Sequence, residues 1–363
     1  MRIMNLTEIL EHYPINGQNP SCTPYGEGHI NETMLLTFGR GTSEKYVLQK
    51  INDRLFDVEK LMSNIILVSE FIREKNLARG GNPDRECLTV VKTVDGKSFV
   101  KTRDGYYRIY LFIDGISLQV VKEPKDFYRC AEAFGRFANL LAEFDATELY
   151  EIIPKFHDTE KRFRDFTAAL EKDACGRAKD VRKEIDFVLA RKDYCGRITS
   201  KLKSGEIPVR CTHNDTKLNN VLFDRITNEC IAVIDLDTVM PGSLCYDFGD
   251  AIRFGCNTST EDDRDLRKVN FDINLFKTFT EGYLNAIGNG ITAAETDQLA
   301  FSAILMTYEC GMRFLTDYLD GDNYFRISRE NHNLDRARTQ FKLIEDMEKL
   351  LPEMEKIVGY YKK

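Results

Sequence analysis

The sequence lacks an excess of positive charge. Its 363 residues include 51 Lys and Arg against 58 Asp and Glu, a formal net charge of -7. Binding to nucleic acid or to an anionic membrane depends largely on basic patches, so this balance argues against both partners. A small-molecule ligand fits better, in a protein whose 42% hydrophobic and 30% charged residues are typical of globular chains.

The sequence also lacks the cysteine and histidine spacings that form zinc sites. Its 10 cysteines are scattered, without a Cys-x-x-Cys pair or a histidine spacing that would complete a metal site. We therefore expect buried or half-buried thiols in a reducing compartment, and the cytoplasm is the expected location.

No long apolar run is present either. Residues 1–13 mix charged and apolar side chains and carry neither the apolar core nor the cleavage site of a signal peptide. The longest apolar stretches, such as residues 65–68 and 231–234, are far too short to span a bilayer. We expect a protein that stays in solution, as a monomer or a weak homodimer.

The first third of the chain has the pattern of a β-sheet with one long helix. Residues 23–51 combine apolar runs with glycine turns, including Gly26 and Gly28, and predict a β-hairpin. Residues 57–77 carry apolar side chains at helical spacing. The apolar runs that follow, up to residue 113, are separated by two Asp-Gly pairs, which are strong hairpin signals.

Beyond residue 115 the spacing of apolar residues becomes helical. The exception is residues 209–237, where two short β-branched runs predict a small hairpin. The helical segments are residues 127–144, 163–170, 185–202, 271–287 and 297–318.

We therefore predict an α+β fold with two lobes and a hinge near Asp114. Residues 1–114 would form a small β-rich lobe with one long helix, and residues 115–363 a larger, mainly helical lobe. A cleft between the lobes would hold the functional site.

One loop carries the pattern needed for phosphoryl transfer. Residues 212–220 contain His-x-Asp and then an Asn five positions after the Asp, directly before an apolar strand. Transfer from ATP needs a carboxylate near the acceptor hydroxyl and oxygen ligands for magnesium. We predict Asp215 as the general base, Asn220 as a Mg²⁺ ligand and Lys217 as the counter-charge to the transferring phosphoryl group.

Two further carboxylates follow the next predicted strand. Because Mg²⁺ prefers oxygen ligands, Asp235 is the predicted second metal ligand. Asp237 would share a face with Asp235 if the backbone were extended, and could then touch the metal or a substrate hydroxyl. Either motif alone could consist of turn and cap residues. Together, and in this order, they favour a magnesium- and ATP-dependent kinase.

The chain resembles the aminoglycoside phosphotransferase and choline kinase group, whose members have a bilobal protein-kinase-like fold. More narrowly, it looks like the N-acetylhexosamine 1-kinases in four segments, PYGEGHIN, THNDTKLNNVLFD, IAVIDLDTVMPGSLCYDFGDAIRFG and ECGMRFLTDYL. The resemblance implies transfer of the γ-phosphoryl group of ATP to the anomeric hydroxyl of N-acetylgalactosamine or N-acetylglucosamine. It also implies that Asp215 is the base and that Asn220 and Asp235 are the metal ligands.

The same resemblance implies a sugar pocket. The matching positions are His29, Asp215, Lys217, Asp237, Thr238, Arg313 and Tyr324. Two of these residues also have simpler explanations. His29 could be a loop histidine with a local backbone bond, and Arg313 could pair with Glu309 one turn earlier on a helix.

For the nucleotide, Gly26 and Gly28 match a phosphate-covering turn. Tyr110 and Phe112, just before the hinge, are placed to contact adenine. Many relatives carry a Lys or Arg on the third strand to hold the ATP phosphates, and the matching position here is Gln49.

Other residues near the site are harder to assign from the sequence. The helix after Gln49 offers Glu59 and Glu70, without a clear choice between them. Asp247 and Asp250 are expected to organise the catalytic loop through hydrogen bonds to His213 or its neighbours.

Two alternative functions stay open. The ATP and metal machinery is shared by kinases with other acceptors, such as choline, homoserine or an aminoglycoside. A nucleotide-binding regulator without transfer activity is the second alternative, because Gln49 stands where a lysine is common.

Overall fold

The structure is a computed structural model that describes residues 5–26, 30–39, 44–121 and 123–362. Its strands are β1 Pro20–Pro24, β2 Glu32–Phe38, β3 Lys45–Ile51, β4 Val100–Thr102, β5 Gly105–Leu111, β6 Arg210–Thr212, β7 Val221–Phe223, β8 Cys230–Val233 and β9 Met240–Gly242. Its helices are α1 Leu6–Leu10, α2 Val58–Ala78, α3 Pro83–Glu86, α4 Pro124–Leu140, α5 Thr159–Lys172, α6 Arg182–Leu189, α7 Arg197–Ser204, α8 Leu244–Gly255, α9 Ile273–Ile287, α10 Ala293–Thr296, α11 Leu299–Asp320 and α12 His332–Tyr361.

The chain divides into two compact units. The first runs to Ile116 and adds Thr147–Ile153 and Leu222–Met240, and the second contains Ser117–Ala146, Pro154–Val221 and the chain from Pro241 onward. The roles expected for the two lobes, with ATP bound by residues 1–114, stay a prediction.

The first unit contains an antiparallel sheet with the strand order β1-β2-β3-β5-β4. Leu36, Leu48 and Ile109 of this sheet pack with Ile9 of α1 in one buried cluster. The predicted hairpin of residues 23–51 is confirmed as β2 and β3, and the predicted helix as α2. Asp57 caps α2 by accepting a hydrogen bond from a backbone N–H of its first turn.

Only one of the two Asp-Gly pairs joins strands of this sheet. Asp104 lies in the turn between β4 and β5, as predicted. The Asp95-Gly96 pair forms a turn, but no strand begins or ends there among the described residues. Before this turn Val90 forms an isolated bridge to Tyr110, and after it β4 pairs with the start of β5.

The second unit is built mainly from helices. Helix α4 packs on α9, and α11 packs on both α8 and α12. The expectation of one helix at residues 185–202 is wrong, because Gly196 has a φ of +85° and separates α6 from α7. The small predicted hairpin is confirmed as β7 and β8, and nearly all of it belongs to the first unit. Among the described helices, none is both long enough and apolar enough to cross a membrane.

Candidate active site

A buried carboxylate holds the predicted catalytic loop. Asp247 lies in the first turn of α8, and its two oxygens accept hydrogen bonds from the backbone N–H of His213 at 2.8 Å and of Asn214 at 2.7 Å. The hydroxyl of Thr216 donates to the backbone carbonyl of Asp247 at 2.6 Å. Burial raises the pKa of Asp247, although His213 and the two N–H bonds oppose the shift. The predicted organising role of Asp247 is confirmed.

For Asp250 the same role stays a prediction. Its carboxylate binds Arg253 on the same helix, at 3.0 Å from Nε and 2.9 Å from Nη2. Burial alone would raise the pKa of Asp250, but Arg253, together with His157 and Lys217, lowers the pKa below its ordinary value. Asp250 therefore forms an ion pair within α8, and Lys217 of the loop adds to the electrostatic attraction at its carboxylate.

The loop presents Asp215 between two polar neighbours. Asn214 has a φ of 61°, in the left-handed region that few residues other than glycine adopt, and so turns the chain just before Asp215. Oδ1 of Asp215 lies 2.9 Å from the Lys217 ammonium, and Oδ2 accepts from the Asn220 amide at 3.0 Å. The Asp215 side chain remains 26% exposed. The carboxylate is thus oriented by its neighbours and still accessible to a ligand.

The donor atoms of the loop suit a hard cation. Both hydrogen bonds that Asn220 makes to Asp215 use Nδ2, so Oδ1 faces away from the carboxylate. Amide and carboxylate oxygens are ligands that Mg²⁺ accepts. Within the described ranges, no cluster of three or more His, Cys, Asp or Glu side chains could hold a metal. A Mg²⁺ ion would therefore need oxygen atoms from a nucleotide or water as well.

Asp235 belongs to the first unit and follows β8. Its φ of 60° and ψ of 59° are left-handed, and the chain continues into the 3-10 turn Leu236–Thr238. The backbone is therefore not extended from Asp235 to Asp237. Asp235 and Asp237 therefore do not share one face of a strand, as an extended backbone would require.

Asp237 is part of a buried polar network in the first unit. Its Oδ1 accepts from Arg108 Nη2 at 2.6 Å, and its Oδ2 accepts from Asn31 Nδ2 at 2.6 Å. The Arg108 and Asp237 side chains are only 1% and 4% exposed. Gln49 contributes Oε1, which accepts from Arg108 Nε at 3.0 Å and Nη2 at 2.8 Å, and its amide nitrogen donates to Thr33.

Arg313 and Tyr324 lie together in the second unit. The Arg313 guanidinium carbon is 5.8 Å from the Tyr324 ring centre, 5.2 Å from that of Phe156 and 5.4 Å from that of Phe325. The sequence offered Glu309 as an alternative partner for Arg313. Among the described residues, the ion-pair partner of Glu309 is instead His157, whose Nδ1 lies 2.9 Å from the carboxylate.

A cleft of about 420 Å³ in the second unit includes these two residues. It is lined by Arg162, Asp165, Lys172, Arg313, Thr316, Asp317, Asp320, Tyr324 and Phe325, among others. Asp317 fixes the aromatic wall, because its carboxylate accepts hydrogen bonds from the backbone N–H of Tyr324 at 2.8 Å and of Phe325 at 2.9 Å. The cleft thus combines preformed aromatic faces with charged groups of both signs.

Comparison with known proteins identifies the family. The profile described as the phosphotransferase enzyme family matches residues 21–276. The chain belongs to this phosphotransferase family. The predicted α+β kinase-like fold, with an antiparallel sheet in the N-terminal part and a larger helical C-terminal part, is also confirmed.

Three solved structures illustrate the shared fold. An aminoglycoside phosphotransferase from Alicyclobacillus acidocaldarius is 12% identical, with a TM-score of 0.60 over 99% of this chain and 98% of that one. An amicoumacin kinase in complex with AMP-PNP, Ca²⁺ and its ligand is 14% identical, with a TM-score of 0.58 over 95% and 92%. A microcompartment-associated aminopropanol kinase is 17% identical, with a TM-score of 0.57 over 95% and 96%.

Four of the five residues that the sequence assigned to nucleotide in this phosphotransferase lie in the described part of the first unit. Gly26 is exposed with a φ of 77°, whereas Gly28 and the sugar-site candidate His29 lie outside the described residues. Tyr110 is buried, and the backbone N–H of Phe112 donates to the carbonyl of Lys45 at 3.2 Å. That amide is already used within the protein, so the adenine assignment of this segment stays a prediction.

Sequence reasoning missed Arg108, the residue that Gln49 contacts. The carboxylate that binds Arg108 is Asp237. Glu70 of α2, one of the two glutamates that the sequence offered near the site, pairs with Lys92 at 3.1 Å instead. A signal was present in the sequence. Arg108 stands within the apolar run of β5, where a buried charge is strongly unfavourable unless it has a partner.

Proposed function

We propose that this phosphotransferase is an ATP- and Mg²⁺-dependent kinase that acts on the anomeric hydroxyl of N-acetylgalactosamine or N-acetylglucosamine. The product would be the sugar 1-phosphate. The observation that carries the transfer chemistry is the oriented, accessible Asp215 carboxylate between Lys217 and Asn220. The choice of a hexosamine rests on the sequence resemblance. The proposal includes a cytoplasmic location and a monomer or weak homodimer.

In the proposed reaction, the anomeric oxygen attacks the γ-phosphorus of ATP. Asp215 accepts the proton of that hydroxyl as the new phosphorus–oxygen bond forms, and the bond to the bridging oxygen of ADP breaks. Lys217 offsets negative charge on the transferring phosphoryl group. Because Lys217 also lies 2.9 Å from Asp215, it holds the base in place before the sugar binds.

Asn220 and Asp235 are the proposed Mg²⁺ ligands. A Mg²⁺ ion held by these residues would offset the negative charge of the nucleotide phosphates. Support for a bound nucleotide comes from two members of the same fold, the amicoumacin kinase with AMP-PNP and Ca²⁺ and a spectinomycin phosphotransferase with ADP. Gly26, Gly28, Gln49, Tyr110 and Phe112 remain the proposed nucleotide contacts.

The proposed sugar contacts are His29, Asp237, Thr238, Arg313 and Tyr324. The cleft at Arg313 supports this assignment for two of them, because its volume falls within the range of about 300–1,000 Å³ usual for small-ligand sites. Aromatic faces can pack on a sugar ring, and the Arg313 fork can donate to two oxygens of the sugar. Asp237 already accepts two hydrogen bonds, but a carboxylate has further lone pairs for a hydroxyl.

The proposal is tested with a panel of acceptors. ADP release is followed with N-acetylgalactosamine, N-acetylglucosamine, choline, homoserine and kanamycin, each with ATP and Mg²⁺. We expect turnover with at least one hexosamine and far less with the others. Turnover only with another acceptor would reject the hexosamine assignment and keep the kinase. ATP binding without turnover on any acceptor would favour a non-catalytic regulator.

A further inference from the structure

The Arg108 guanidinium is almost fully used by partners inside the first unit. Nη2 donates to Asp237 and to Gln49, Nε donates to the same Gln49 oxygen, and Nη1 points to the sulfur of Met62 at 3.7 Å. Four of the five N–H bonds of a guanidinium are therefore engaged. With 1% of its side chain exposed, Arg108 has no surface to offer to a nucleotide phosphate.

The charge of Arg108 is nevertheless retained. Burial alone would lower the pKa of Arg108, but the attraction of Asp237, together with Tyr110 and Asp235, raises it above the ordinary value. A buried charge is tolerated when it is paired and hydrogen-bonded, as Arg108 and Asp237 are. This pair joins β5 to the segment after β8 across 129 positions of the sequence.

The segment that carries Asp237 also carries Asp235. Asp235 has left-handed backbone angles, which an aspartate keeps only when its surroundings hold it there. The segment is held on two sides. Asp237 is bound by Arg108 and Asn31, and the carbonyl of Val239 accepts from the Asn64 amide at 2.8 Å.

We propose that Arg108 is a positioning residue, which anchors Asp237 and thereby sets the orientation of Asp235 for a nucleotide-bound Mg²⁺ ion. Gln49 supports the anchor by binding two N–H groups of Arg108. The inference rests on the proposed Mg²⁺-dependent kinase, with Asp235 as a ligand. Arg108 touches neither substrate nor metal in this arrangement, and it acts through the Asp237 carboxylate.

Arg108→Lys is the first test, because lysine keeps the charge but cannot bridge Asp237 and Gln49 with one planar group. Binding of a non-hydrolysable ATP analogue is measured by calorimetry at a series of Mg²⁺ concentrations, without sugar. We expect the Mg²⁺ concentration for half-maximal binding to rise about 10- to 100-fold, the usual effect of removing a partner of a metal ligand. Analogue binding without Mg²⁺ should be unchanged.

Arg191→Lys is the matched control. Arg191 also forms a two-pronged pair, with Glu348 at 2.6 and 2.7 Å, but in the second unit. This variant should lower the thermal midpoint without changing the Mg²⁺ dependence. If Arg108→Lys does the same, Arg108 is only structural and the proposal is overturned.

Asn31→Ala gives an independent test if Arg108→Lys does not fold. It removes the other anchor of the Asp237 carboxylate from a half-buried position, and a smaller rise in the Mg²⁺ requirement is expected. An unchanged Mg²⁺ requirement in Asn31→Ala would count against the proposal. No sugar is present in these titrations, so a wrong hexosamine assignment would not alter their outcome.

Discussion

Asp215 meets two requirements that a general base must satisfy together. The carboxylate of a general base must be held in one orientation, and it must be accessible to the hydroxyl group that it deprotonates. Lys217 and Asn220 provide the first, and the 26% exposure of the side chain provides the second. Asp247 contributes indirectly, because it fixes the backbone of the two residues that precede Asp215.

Asp215→Asn tests this role. The amide keeps the size of the side chain but cannot accept the proton, so we expect kcat to fall about 10²- to 10⁴-fold. Calorimetric binding of the ATP analogue should be nearly unchanged. Asp346→Asn is the control, because Asp346 also pairs with a lysine, Lys342, but lies on α12. Turnover of Asp215→Asn close to that of Asp346→Asn would refute the assignment.

At this scale the sequence grouped the residues around Asp215 but missed the contact between Arg108 and Asp237. Asp215, Lys217 and Asn220 lie within six positions of one another, so their spacing was enough to bring them together. Arg108 and Asp237 are 129 positions apart, and no local pattern states that a strand residue meets a turn residue so far along the chain. Only the unfavourable burial of Arg108 pointed to a partner.

Among the elements, α4 and α9 approach each other most closely at two glycines. A Cβ at Gly135 of α4 would lie 2.6 Å from the carbonyl oxygen of Tyr283, and one at Gly282 of α9 would lie 2.6 Å from that of Tyr128. Both atoms belong to backbone, which cannot move aside as a flexible side chain could. The two glycines therefore set the distance between the helices.

Gly282→Ala should lower the free energy of unfolding by about 1–3 kcal/mol, the usual cost of overpacking a core. Gly359→Ala is the control, because nothing lies within 4 Å of a Cβ there, although Gly359 is also helical. That variant should raise the free energy of unfolding by about 0.5–1 kcal/mol. Chemical denaturation of both variants measures the difference, and equal effects would contradict the close approach.

The elements that the sequence predicted are those with a clear apolar period and a clear boundary. Helix α2 follows its capping residue Asp57, and apolar side chains such as Leu36 of β2 and Leu48 of β3 are buried. Helix α12 was not predicted, although it is the longest in the described structure, since its sequence is rich in charge and contains Pro352. Its apolar side chains stabilise the helix by packing against α11, a contact that the local sequence does not reveal.

Across the whole molecule, the burial of the cysteine thiols determines which of them can react in the folded protein. All 10 lie within the described residues as thiols, and the expectation of buried or half-buried thiols holds for all but Cys175, which is exposed. Burial raises the pKa of Cys87 and of Cys245 to about 12. These two thiols therefore stay protonated and unreactive well above neutral pH.

Thiol labelling of the native protein should modify Cys175 first. Since the pKa of Cys87 and Cys245 is raised, increasing the pH from about 7 to about 9 should not bring them into the reaction. In denaturant all 10 thiols should react. Mass spectrometry of the labelled peptides identifies the sites. Rapid labelling of Cys87 or Cys245 in the folded protein would show that these thiols are accessible to solvent, contrary to the prediction.

At the same scale, the order of strand and helix patterns along the chain indicated the α+β fold, and the family resemblance implied its kinase-like form. It did not indicate that Leu222–Met240, with Asp235 and Asp237, joins the first compact unit. That placement depends on tertiary contacts, such as the one between Asn64 and Val239.

The most direct test of the proposed function is the identity of the phosphorylated product. The protein is incubated with ATP, Mg²⁺ and N-acetylgalactosamine or N-acetylglucosamine, and phosphorus NMR locates the transferred group. We predict one new phosphomonoester signal, coupled to the anomeric proton, in amounts equal to the ADP formed. A phosphate on any other hydroxyl, or ADP formed with inorganic phosphate alone, would contradict the proposed anomeric transfer.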